Sequence, residues 1–329
     1  ALRNSPKISR ATTQRIRTIA DRLHYRPNPL VSALMAQLRY QKDVKHRTKL
    51  AYVTAFATAD GWRQPGPFVP FFEGARKRAH GLGYDLEEWW ARDPETSESQ
   101  LCEDLITSDI RGLIIAPVPS GTVLNLEWEK FATAAIGYSL GGPAVHRASN
   151  NQFDSMTLAL EKLEQLGYRR IGLAISEESD QRVKRRWSAG MLSYQHFLPE
   201  SDRVPMLLAT GSFEDEFREW YGKHRPDAVL SLAWQCIKYL RDLGARVPDD
   251  VGFAHLARTS EEILWAGLNQ RSEFVGAAAV DLIDAQLRRN EFGIPVSPRI
   301  SLVESVWLDG PSLRRPTGEP ALVTTESRG

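Results

Sequence analysis

The chain has 329 residues, 42% of them apolar and 25% charged, a composition of ordinary globular proteins at a length that allows two or more cores. No run approaches the roughly 18 apolar residues of a membrane span, and no apolar signal-peptide core follows the basic N-terminus, so a cytoplasmic protein without membrane contact is expected. The net charge of +1 conceals an asymmetry: residues 1–49 hold 12 Lys and Arg against two acidic residues, a net +10, and the other 280 residues carry −9.

A basic arm on an acidic body fits a polyanion-binding head joined to a small-molecule- or protein-binding body; a solvated basic face without a partner is the plainer alternative. In chain order, "SPKISRATTQRIRTIADRLHY" predicts one helix. Ser9 is its N-cap, Ile16, Ile19, Ala20 and Leu23 share a face, and Arg10, Arg15, Arg17 and Arg22 lie off it. That face must pack on something. Only "ALRN" precedes the Ser5-Pro6 turn, so the expected partner helices are not in the sequence.

The next stretch, "YRPNPLVSALMAQLR" at 25–39, starts a second helix sharply. Asn28 precedes a proline and suits the N-cap, while Pro29, with fixed φ and no N–H, suits the first helical position. Leu30, Ala33, Leu34 and Leu38 recur at helical spacing, yet the helix is shorter than the roughly 12–15 residues at which isolated helices become marginally stable. It needs a partner, or it is a linker helix packed on its own body.

From residue 50 the pattern alternates. "KLAYVTAF", "GLIIAPV", "FATAAIGY", "RRIGLAI", "PDAVLSLA" and "VGFAHL" read as strands; "FFEGARKRAHGLG", "DSMTLALEKLEQLG", "QCIKYLRDLG" and "AVDLIDAQLRRN" read as helices. Gly83, Gly167 and Gly244 fall where left-handed C-caps are expected. Strand, helix, strand order predicts parallel sheets covered on both faces. Two doubly wound lobes fit better than a closed barrel, with 140–152 as a crossing between lobes. Adjacent Trp89 and Trp90 end a strand-like run. Cys102 and Cys236 have no Cys or His at ligand spacing and are expected to be packing residues. The seven histidines form no recognisable nucleophile motif, and no glycine loop follows the first strand, so no catalytic residue, metal site or cofactor is expected. The tail from Gly310, rich in Pro, Gly, Ser and Thr, is expected to fray, and it shows no heptad.

The N-terminal "ALRNSPKISRATTQRIRTIADRLHYRPNPLVSAL" resembles the end of the helix-turn-helix head and hinge of lactose-repressor (LacI/GalR) family transcription regulators. "LGYRRIGLAI", "RPDAVLSLAW…LRDLGARVPDDVGFAHL", "GLNQRSEFVGAAAVDLI" and "LVESVWLDGPSLRR" continue the resemblance in order. It implies two parallel-sheet lobes like periplasmic binding proteins, behind a partial DNA-binding head and a hinge helix. It further implies a homodimer on a palindromic operator in double-stranded DNA, controlled by a small-molecule effector, a carbohydrate or derivative, in the interlobe cleft. Three chain crossings place a head remnant at 1–27, hinge and linker at 28–48, lobe one at 49–148 with 271–295, lobe two at 149–270 with 296–320, and a disordered tail at 321–329. The first two head helices are missing, which reads as truncation, and "MAQLRYQKDVKHRT" lengthens the hinge. A stand-alone solute-binding protein is the alternative; it predicts a signal peptide and a more even charge.

Carried over residue by residue, the resemblance gives DNA contacts at Arg3, Asn4, Lys7, Arg10, Arg15, Tyr25, Arg26, Asn28, Pro29, Ala33 and Leu34, with Leu34 at the position of a leucine wedged into the minor groove. Effector contacts fall at Phe68, Asn151, Arg186, Leu230, Trp234 and Ala257. Phe68 reads equally as a core phenylalanine, and the Arg186 register is open because Arg182, Lys184 and Arg185 crowd it. The family's carboxylates become Asn151, Trp234 and Ala257, and its asparagine becomes Ala233. A buried sugar hydroxyl without an acceptor costs about 1–3 kcal/mol, so a common free hexose is not expected.

Overall fold

A computed structural model of the chain describes residues 9–22, 48–63, 68–259 and 262–314. Helix α1 (Arg10–Arg22) begins where expected: the Ser9 Oγ accepts the Thr12 N–H at 3.2 Å. Ile16 and Ala20 are half-buried, Ile19 is 38% exposed, and Leu23 of the expected face lies outside the described residues.

The body divides into two compact units, one of residues 1–150 with 271–303, the other of 151–270 with 304–329. Unit one contains β1 (Thr48–Thr54), α2 (Phe68–Gly81), β2 (Tyr84–Trp90), α3 (Glu98–Thr107), β3 (Ile110–Ile115), the short β4 (Thr122–Val123), β5 (Ala132–Ile136), β6 (Leu140–Gly142) and β7 (His146–Asn150). The chain returns to it with α9 (Ser272–Arg289) and β13 (Ile300–Val303). Its six-stranded sheet has the order β13-β7-β5-β3-β1-β2, with every pairing parallel. The continuous apolar strands follow from burial on both faces: Tyr52, Ile114 and Ala134 face one core with α2 and α9, while Val53, Ile115 and Ala135 face the other with α3.

Helices α2 and α9 approach so closely that no side chain fits at their crossing. A Cβ on Gly74 would lie 1.9 Å from the Glu273 carbonyl oxygen, and one on Gly276 would lie 1.9 Å from that of Phe71.

Unit two contains α4 (Gln152–Gln165), β8 (Ile171–Ser176), α5 (Glu177–Arg182), α6 (Arg186–His196), β9 (Leu207–Ala209), α7 (Phe213–His224), β10 (Ala228–Ser231), α8 (Cys236–Asp242), β11 (Gly252–His255), β12 (Ala266–Asn269) and β14 (Val306–Leu308). The sheet order is β14-β12-β11-β10-β8-β9; only β14 runs antiparallel. Cores again lie on both faces, one around Trp187, Leu230 and Leu268, the other around Phe217, Phe253 and Leu240. Gly83, Gly167 and Gly244 adopt φ of +84°, +85° and +79°, the left-handed turn expected of them. Both cysteines are buried and unbridged.

Two expectations need correction. The third crossing falls after Val303 rather than 295, because Ile300–Val303 extends unit one's sheet along β7. The segment from Gly310 does not begin to fray at once. Ser312 and Leu313 are 3% and 5% exposed, the Ser312 hydroxyl donates to the Phe253 carbonyl at 2.7 Å, and the Arg314 N–H donates to the Tyr168 hydroxyl at 2.9 Å. Local composition misled because these polar groups are satisfied by strand β11 and Tyr168, far away in sequence. The stretch 321–329 lies outside the described residues.

Candidate functional site

In an open parallel sheet, ligands sit beyond the carboxyl ends of the strands, where the strand order reverses. Unit one reverses between β1 and β3, unit two between β8 and β10. Those edges therefore define the candidate site within each unit.

At unit one's edge β1 runs into Ala55 and Phe56. Phe68, the first residue of α2 and half-buried, sets its ring 5.6 Å from that of Phe56 at 53°. Behind them Tyr52, Trp62 and Phe72 form a buried triad with centroids 5.1–5.7 Å apart. Desolvation pushes the Tyr52 phenol well above its usual range, and its hydroxyl has no partner. Phe68 is thus an aromatic at the sheet's carboxyl edge, whereas Phe56 and Trp62 were not singled out from the sequence, although Phe56 closes the strand-like run "KLAYVTAF".

Unit two's edge is dominated by groups already engaged. Asn151 caps α4 through its Oδ1, and its Nδ2 donates to Asp154 at 2.5 Å and Glu304 at 2.9 Å. The Ser176 hydroxyl caps α5, and the Ser231 hydroxyl accepts the Ala233 N–H at 3.0 Å. Gln270 donates to the Leu256 carbonyl at 2.8 Å. Burial pushes down the imidazole of His255, at the end of β11; its Nε2 donates to the Leu232 carbonyl at 2.9 Å, and its Nδ1 has no protein partner. The sequence reading missed His255, although it closes the strand-like run "VGFAHL".

Arg186 opens α6 after two left-handed residues, Lys184 and Arg185, and donates to the Val183 carbonyl at 3.0 Å. Arg185 instead pairs with Glu177 at 3.2 Å. Ala257 is half-exposed just past β11. Leu230 is fully buried in the sheet's core, so its side chain is spent on packing; residues beyond the strand end, Leu232 and Ala233, occupy the edge. Trp234 is 49% exposed and stacks on Trp265 at 6.1 Å and 6°. With Ile237, Lys238, Val247 and Pro311 it lines a pocket of about 510 Å³. That pocket follows α8 toward the amino ends of β11 and β12, so Trp234 serves the flank of the unit.

Of the expected DNA contacts, Arg10 and Arg15 are exposed on α1, as are Arg17 and Arg22. Arg3, Asn4, Lys7, Tyr25, Arg26, Asn28, Pro29, Ala33 and Leu34 lie outside the described residues. Among the described residues no group of His, Cys, Asp and Glu could hold a metal, and no helix is long and apolar enough to cross a membrane.

Residues 160–304 match the family model of the periplasmic binding protein-like domain. No curated protein matches the sequence. Solved structures share the fold: the transcriptional regulator CelR in complex with cellobiose (TM-score 0.58, 17% identity, 94% of this chain and 93% of that chain covered), a putative LacI-family regulator from Rhizobium etli (0.59, 14%, 82% and 99%), and a LacI-family regulator from Enterococcus faecium with bound ribose (0.56, 13%, 80% and 98%).

Proposed function

We infer that this chain, with its periplasmic-binding-protein-like domain and the fold of LacI-family transcription regulators, belongs to that family and acts as a DNA-binding repressor governed by a small molecule. The fold by itself suits solute capture equally well. The observation that carries the regulator reading is the charge segregation: +10 on residues 1–49 against −9 on the rest, with the arginines of α1 exposed. Such an arm binds the phosphate backbone, with an affinity that falls steeply with salt. Leu34 is assigned the role of the minor-groove wedge on its place in the sequence. A homodimer is proposed because Trp234, Ile263 and Leu264 are 49%, 71% and 68% exposed on unit two, an apolar cluster of the kind that marks an association surface. The effector is proposed to bind at a sheet's carboxyl edge, and no catalytic chemistry is assigned.

The test is repeated selection of random duplexes on the purified protein. Enrichment of one palindrome, with affinity that drops as salt rises and weakens at least tenfold in Leu34→Ala, is expected. Absence of any enriched sequence, together with salt-independent binding, would sink the regulator reading.

A further inference from the structure

The flank pocket of unit two, about 510 Å³ in volume, falls in the range of roughly 300–1,000 Å³ typical of small-molecule sites, and every residue lining it belongs to that unit. Its walls include the parallel rings of Trp234 and Trp265, 6.1 Å apart at 6°, and the aliphatic side chains of Ile237, Val247 and Leu264. Among the described residues Trp265 is the one ring against Trp234, and 49% of Trp234 stays exposed. A further flat ring can therefore extend the stack. The charged part of the lining comes from α8, where Lys238 and Arg241 stand three residues apart and so share a face, with Asp242 as the one carboxylate. Asp242 is paired with Lys238 at 3.1 Å and with Arg218, outside the pocket, at 2.9 Å. Arg241 is exposed and forms no ion pair among the described residues. The lining thus sets two cations against one carboxylate, and the cation left over is a guanidinium beside a ring face.

We propose that this pocket binds a planar aromatic monocarboxylate, with its ring stacked on Trp234 and its carboxylate on Arg241. The indole face and the aliphatic walls reward any flat apolar body, while the guanidinium selects a carboxylate, which it can hold with two parallel N–H bonds. The site lies on the flank and does not depend on the effector proposed at a sheet's carboxyl edge. Trp234 and Leu264 also belong to the surface proposed for self-association, so such a ligand and a second copy of the chain compete for them.

The test is calorimetry and tryptophan fluorescence of the whole protein with indole-3-acetate and benzoate, each set against its uncharged counterpart, indole-3-acetamide and benzamide. At least one carboxylate is expected to bind, about fivefold tighter than its amide. Trp234→Leu and Arg241→Gln are each expected to lower that affinity about fivefold, and Arg241→Lys, which keeps the charge, to lower it less than Arg241→Gln. Both side chains are exposed, so the variants keep the fold. No binding by either carboxylate, amides that bind equally well, or an affinity unchanged in either Trp234→Leu or Arg241→Gln overturns the proposal. Sedimentation without probes reports on self-association separately: a protein that stays monomeric would reject the dimer and leave the pocket assignment standing.

Discussion

At the scale of single residues, Asn151 shows how one side chain can be identified in the sequence while its work stays hidden. The family pattern suggested an aspartate there, and the structure gives the reason for an amide: Nδ2 bridges the carboxylates of Asp154 and Glu304 while Oδ1 caps α4. Asn151→Ala is expected to cost about 1–2 kcal/mol, the value of a lost cap and its bonds. Asn151→Asp should cost more at neutral pH, because a third carboxylate replaces the donor. The new acid's pKa would be raised by its neighbours, so its penalty should shrink as pH falls into the carboxylate range; Tm of both variants between pH 4 and about 8, a span set by ordinary carboxylate titration, checks this. A simpler titration marks Asp250, which hydrogen bonds from the guanidinium and the backbone N–H of Arg246 hold at about 2. A depressed carboxylate stabilises the fold above its unfolded value of about 3.9 and loses that contribution as pH falls through the folded value. Arg246→Ala should therefore move the Asp250 midpoint up toward about 3.9, read by carboxylate NMR shifts. The role of Asn151 was not legible beforehand, because Glu304 lies far from it in sequence, whereas the Arg246–Asp250 pair is local and could have been read from its spacing.

At the scale of elements, the closest approach in unit one is that of α2 and α9, which are joined only by tertiary contact. Gly74 and Gly276 each face a carbonyl oxygen of the other helix. Gly276→Ala should force the helices apart and cost at least 1–3 kcal/mol, the range of overpacking in a tight core, even though alanine is the better helix former. Equilibrium denaturation of the variant checks it; a stabilised protein would mean the helices part freely. The strands, the helices and the three left-handed glycines were legible because alternation, helical period and C-cap chemistry are local signals. The strand Ile300–Val303 was assigned to the wrong unit because its partner, β7, lies about 150 positions earlier in the chain, a separation that no local pattern encodes.

At the scale of the whole molecule, the body carries its own cores on both faces of each sheet, while the basic charge sits in the arm. Removing residues 1–47 is expected to abolish duplex binding and to leave the thermal transition of the body within a few degrees, measured by anisotropy and by calorimetry. Retained salt-dependent binding by the shortened protein would relocate the DNA surface to the body. The sequence by itself determined the α/β class, the two-unit organisation, the asymmetry of charge and the residue types along the chain, since each is a sum or a period over neighbouring residues. Only the tertiary structure decided which of those residues reach the candidate site. It sent Leu230 into the core, turned Trp234 to the flank beside Trp265, engaged Asn151 with Glu304 and left His255 Nδ1 unsatisfied at a strand end. Hydrogen-bond satisfaction and burial are set by partners brought together across the sheet, and those partners are distant along the chain.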